Sequence, residues 1–116
     1  MKYNEIEYKG IVYKIVFNLN VMEEIQDEYG SLEAWGELTD SEKEPNMKAV
    51  LFGLGAMLNE GIEIDNEDNA EIEGYEPKKK LTKRQVGRLL SEVGFSEVTQ
   101  KLNNTVIEST KSDEKN

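Results

Sequence analysis

The chain has 116 residues and a net charge of −10 at pH 7, with no cysteine and no histidine. The first two facts fit one acidic domain with a modest core. The last two exclude disulfides and thiolate chemistry, and they remove the commonest general base and zinc ligand, so the sequence is read as non-enzymatic, with no cofactor and no metal. The charge is split along the chain. Residues 1–77 carry 5 basic and 19 acidic side chains, whereas 78–116 carry 9 basic and 5 acidic ones. An acidic body argues against a dedicated nucleic-acid binder, because phosphate neutralisation supplies most non-specific affinity.

The chain opens with a β-hairpin over 3–17, whose strands flank a two-residue Lys9-Gly10 turn. Pairing Tyr8 with Ile11 places Ile6, Tyr8, Ile11, Tyr13 and Ile15 on one face. Two strands alone are marginal in water, so that face must cover helices or join a sheet with another copy.

A helix follows over about 20–29, capped by Asn18 or Asn20 and stopped by Gly30, with Val21, Met22, Ile25 and Tyr29 inward. A shorter one, 31–38, is capped by Ser31 and carries Leu32, Trp35 and Leu38. Thr39 to Glu42 has capping-box spacing but meets Pro45 at once, which makes it a single turn or a loop.

The third helix, 46–60, is apolar on nearly every side. Asn46 caps it and Gly61 closes it. Met47, Val50, Leu51, Leu54 and Leu58 form one stripe, Phe52 and Met57 face elsewhere, and Ala49, Gly53 and Ala56 leave a small-residue surface. A helix of this kind is buried by its own chain or by another molecule.

Residues 62–80 read as an exposed acidic loop, with six acids between Glu63 and Glu73 and short strand character near Ile62–Ile64 and Ile72–Tyr75. Asp65 to Glu76 approaches a calcium-loop pattern but fails at Ala70, where the sharp turn needs glycine, and at the long Glu67. Solvated acidic loop is the simpler reading.

A helix over 82–93 carries the clearest local signals: a Thr82/Gln85 capping box, a Leu81/Val86 staple, and Gly94 at the stop with Phe95 placed to touch Leu90. A last helix, 96–107, has Val98, Leu102 and Val106 on one side. Residues 109–116 have no apolar member and read as a disordered tail. Thr82 to Asn104 has a helix-turn-helix outline, but its second helix begins Ser96-Glu97 and offers little for phosphate, so a packing hairpin explains it better. The fold expected is α+β: an N-terminal hairpin followed by a bundle of four to five helices, one domain over 1–108.

The order of these elements resembles the tail assembly chaperones of long-tailed phages and of prophages in Gram-positive bacteria. The resemblance runs from Tyr8-Lys-Gly-Ile-Val-Tyr-Lys-Ile15 through Phe17 to Gly30, the helix ending Met57-Leu-Asn-Glu-Gly61, the acidic loop, and Lys80-Leu-Thr-Lys-Arg-Gln-Val-Gly-Arg-Leu-Leu90. It implies a protein that holds the tape measure protein, brings tail tube protein to it, self-associates, acts in the host bacterial cytoplasm and is absent from the mature virion. It supplies no residue-level site. From the residues themselves, the expected contact surface comprises Trp35, Phe52, Leu54 and Met57 with the basic Lys79, Lys80, Lys83 and Arg84. The alternatives are another phage structural or host-takeover interaction protein, or a small helix-turn-helix regulator. No stretch approaches the ~20 apolar residues of a membrane span.

Overall fold

The computed structural model describes residues 3–40 and 44–114. The fold is α+β: strands β1 (Asn4–Tyr8) and β2 (Ile11–Ile15) form an antiparallel hairpin, followed by α1 (Leu19–Tyr29), α2 (Leu32–Thr39), α3 (Met47–Asp68), α4 (Lys83–Val93) and α5 (Phe95–Glu114). Within the capping-box spacing at Thr39–Glu42, Ser41 and Glu42 lie outside the described residues.

The hairpin register pairs Tyr8 with Ile11 and Ile6 with Tyr13. Lys9 and Gly10 both take positive φ, 53° and 79°, the geometry of the tight turn whose twist matches the strands. Ile6, Tyr13 and Ile15 are buried, while Ile11 at the turn is 41% exposed. The buried face covers helix α3. Residues opposite one another alternate in bonding direction, so Glu5, Glu7, Val12 and Lys14 point their carbonyls outward. Three of these are covered. Lys78 Nζ donates to Val12 O at 2.7 Å, Lys101 Nζ donates to Glu5 O at 2.8 Å, and Lys14 O lies against Gly61 of α3. Lysines bonded to the edges disfavour further strand addition at Val12 and Glu5.

Asn18 is the cap of α1: its side chain accepts from Val21 N, and its amide, like that of Asn20, donates to Glu60 of α3. Ser31 caps α2. Trp35 is buried, with Nε1 donating to Ala49 O at 2.9 Å, and its ring fills the space above Gly53, where a Cβ would meet Cε2 at 2.8 Å.

The largest departure from expectation is α3. It begins after Asn46 as expected but continues through Gly61 to Asp68, for 22 residues. Ile62 to Asp68 is therefore helix, not loop, and neither 62–64 nor 72–75 is strand. The physical reason is packing. Leu54, Leu58, Gly61, Ile62 and Asp65 continue one buried stripe, and Gly61 serves close approach of Lys14 rather than a left-handed stop. The calcium-loop pattern dissolves with this, because Asp65 lies inside the helix.

The true loop, 69–82, is folded back onto α3 by two asparagines seven residues apart. Asn59 Oδ1 accepts from Leu81 N at 2.8 Å and its amide donates to Leu81 O at 3.1 Å. Asn66 Oδ1 accepts from Lys78 N and from Tyr75 Oη, and its amide donates to Lys78 O. Each amide satisfies a backbone N–H and C=O together, as a neighbouring strand would.

The Thr82/Gln85 capping box is present, and Leu81 packs on the core. Gly94 ends α4 as expected, although its ψ is extended rather than left-handed helical. At φ 118°, ψ 126° it turns the chain directly into α5, with its N–H on Leu90 O and its carbonyl accepting from Val98 N. Phe95, the first residue of α5, is left 36% exposed. Val98 and Leu102 are buried as expected, and so is Thr105, which accepts from the Asn4 amide at 2.9 Å. The expected tail from 109 is instead helical through Glu114, and Ser109 Oγ donates to Phe17 O at 3.0 Å.

Candidate functional site

The eight residues expected to meet partners divide sharply. Leu54 and Met57 are fully buried and Trp35 is 4% exposed. They are core, a correction with a simple cause: the hairpin, α1, α2 and α4 all pack on α3, so the chain itself covers most of its apolar circumference. Phe52 is half-buried, its ring edge-on to Tyr29 with centroids 5.6 Å apart. The Tyr29 hydroxyl is shielded without a hydrogen-bond partner, and burial, assisted by Glu28, pushes its phenol above the ordinary range. Lys79, Lys80, Lys83 and Arg84 are exposed.

What α3 leaves uncovered is a groove against α4 of about 320 Å³. Its floor is Leu51, Phe52, Gly55, Ala56 and Val86, and one wall is Leu81, held by the Asn59 clamp. Gly55 keeps the floor low, since a Cβ there would already touch Val86 at 3.6 Å. Glu24, Lys48, Lys80 and Lys83 stand on the rim. A wider concavity of about 850 Å³ adjoins it, sharing Leu51 and Lys83, and is lined further by Tyr8, Lys9, Arg84, Gly87, Arg88, Ser91 and Glu92. The two form one surface, apolar at the α3–α4 seam and cationic along α4.

The cations of this chain have two distinct employments. Lys14 and Lys78 both pair with Asp65, at 2.8 and 2.7 Å; Lys80 pairs with Glu63 at 2.6 Å, and Lys101 with Glu97 at 3.7 Å. Burial pushes the Asp65 carboxyl upward, but the hydrogen bonds and charges of both lysines outweigh it and hold it below the ordinary range. The hydrogen bond to Asp65 in turn raises Lys14, and the one to Glu63 raises Lys80. Burial raises Glu24 on the groove rim, with Glu60 and Glu63 adding to the effect.

Lys9, Lys48, Lys79, Lys83, Arg84 and Arg88 have no carboxylate within salt-bridge distance among the described residues, and all of these but Lys79 line the two concavities. Lys9 lies 5.4 Å from the Tyr8 ring centroid. Lys83 and Arg84 occupy the first turn of α4, which holds no acid, although cations there oppose the helix dipole by roughly 0.3–1 kcal/mol each. On α5 the corresponding face is not cationic: Lys101 is committed to Glu97 and to Glu5 O.

Sequence reasoning reached Phe52, Lys80, Lys83 and Arg84 of this surface and missed Lys9, Lys48, Leu81 and Arg88 as members. Arg88 had a signal, one helical turn beyond Arg84. Lys9 had none, because only the hairpin's docking brings its turn beside α4. Comparison with protein-family models, with curated proteins and with solved structures finds no match.

Proposed function

We propose that this chain is a non-enzymatic tail assembly chaperone of a phage or prophage, which binds the tape measure protein and promotes assembly of tail tube protein around it in the host cytoplasm. The phage assignment rests on the resemblance in the order of elements, and the contact mode rests on the α3–α4 groove. That groove is the observation that carries the reading. It is an apolar seam left open on a helix whose Leu54, Met57, Leu58 and Ile62 are buried. A long helical client offers repeated apolar stripes, and a groove between two helices is suited to take them. The acidic remainder of the surface keeps such a complex from collapsing into aggregate. Among the described residues no helix is long and apolar enough to cross a membrane.

The test is co-expression with a tape measure protein from the same genome. The expected result is that the client becomes soluble and co-purifies with this chain. A client that stays insoluble and leaves this chain alone in the supernatant overturns the reading.

A further inference from the structure

The binding surface has a charge preference built into it. We infer that the α3–α4 groove and the cationic shelf beside it take an acidic amphipathic helix, with its apolar stripe seated on Leu51, Phe52 and Ala56 and its flanking carboxylates on Lys83, Arg84 and Arg88. The inference rests on the contact-binding reading above, but it does not depend on which protein supplies the helix.

Three observations select this occupant. The first is charge complementarity. The chain holds 24 acidic residues against 14 basic ones, so a cation without a carboxylate partner is costly to collect by chance. Yet Lys14, Lys78, Lys80 and Lys101 are paired, while of the six described cations without a salt bridge five, Lys9, Lys48, Lys83, Arg84 and Arg88, gather around these two adjoining concavities and only Lys79 lies elsewhere. Opposed potentials of this kind steer and select partners.

The second concerns the shape of the partner. The outward carbonyls Val12 O and Glu5 O of the hairpin are occupied by Lys78 and Lys101, and the apolar floor lies between two helices rather than along the hairpin edge. The trough between α3 and α4 suits side chains spaced at i, i+3, i+4 and i+7 on one helix. The third separates a helix from nucleic acid. The apolar floor of Leu51, Phe52 and Ala56 rewards a partner with an apolar stripe and offers nothing to a phosphate backbone.

The experiment uses the full chain and two fluorescent synthetic helices that share a Leu/Phe stripe. One carries glutamates on its flanks and its twin carries lysines. Anisotropy titrations are run at about 0.05 M and about 0.5 M NaCl, which bracket strong and weak screening. The glutamate helix is expected to bind at least roughly tenfold more tightly than its twin at low salt, and to lose most of that advantage at high salt. Arg84→Glu with Arg88→Glu, both exposed and outside the core, is expected to weaken it by roughly tenfold or more with an unchanged thermal midpoint. Lys79→Glu, which makes a smaller change in net charge away from these concavities, is expected to leave binding within about twofold. Ala56→Phe, accepted only if its midpoint is retained, is expected to block the groove.

Equal binding of the two helices, an unaffected Arg84→Glu/Arg88→Glu variant, or a loss with Lys79→Glu as large as with that variant overturns the inference. So does equal competition by a single-stranded oligonucleotide of matched charge. Failure here is distinct from failure of the function proposed above. If the double variant solubilises the tape measure protein as well as the parent does, the charge preference is wrong and the chaperone reading stands. If the glutamate helix binds but the tape measure protein stays insoluble, the reverse holds.

Discussion

Gly61 lies directly against the backbone carbonyl of Lys14. A Cβ on Gly61 would collide with that oxygen and meet Lys14 Cβ at 3.1 Å. This close approach lets β2 rest on α3 at the point where the chain also bonds Val16 N to Met57 O, at 3.3 Å. It accounts for a glycine inside a buried helix where helix propensity alone would favour alanine by ~1 kcal/mol.

Gly61→Ala is therefore expected to destabilise the fold by about 1–3 kcal/mol despite its better propensity, because the obstructing atom is backbone and cannot swing aside. Gly36→Ala, in α2 with open space around the added methyl, is expected to stabilise by roughly 0.5–1 kcal/mol. Urea unfolding of the two variants checks both signs: the midpoints should move in opposite directions with the slopes unchanged.

Asn59 and Asn66 hold the 69–82 segment to α3, and through Leu81 the first of them also builds one wall of the groove. Replacing either with alanine leaves a backbone N–H and C=O without their partners, which is expected to cost about 1–3 kcal/mol. The two are expected to differ in function. Asn59→Ala should weaken helix binding at the groove, whereas Asn66→Ala should lower the midpoint with little effect on binding. Amide hydrogen exchange reports the same distinction locally, with protection at Leu81 lost in the first variant and at Lys78 in the second.

Much of this architecture was legible because local and tertiary signals agreed. The hairpin register followed from alternation around Lys9-Gly10, and Asn18, Ser31, Asn46 and Thr82 each cap the helix their position announces. The reading failed where one residue type serves two purposes. Gly61 matched a helix stop, but its smallness is used sideways, against a strand remote in sequence. Asn59 and Asn66 carry no local signal for their role, because their amides stand in for a strand edge against a segment that only the fold brings back. The same blindness affected the candidate surface. Leu54 and Met57 looked like surplus apolar area because the sequence does not reveal how much of α3 the hairpin will cover, and the groove that remains is defined by Leu51, Phe52 and Ala56 one face away.

Asp65 joins three parts of the chain, receiving Lys14 from β2 and Lys78 from the returning loop while anchored in α3. Its side chain is only 10% exposed, so the paired charges are weakly screened. Because the native carboxyl is held below its ordinary value of 3.8, the native state binds its proton less readily than the unfolded chain does. Its contribution to stability is therefore fully present above that value and fades as pH falls through the lower native one. Lys14 is raised above 10.5, so its share is present below that value and is lost as pH rises beyond it. Asp65→Asn is expected to cost about 1.5–3 kcal/mol near neutrality, the range for hydrogen bonds to a charged group. The difference between the parent and this variant should stay level from about pH 5 to about pH 9 and shrink below pH 3.8 as the parent's carboxylate is protonated. Chemical denaturation across that range decides it: a parent–variant difference that does not diminish in acid means that packing of Asp65, not its charge, holds the loop in place.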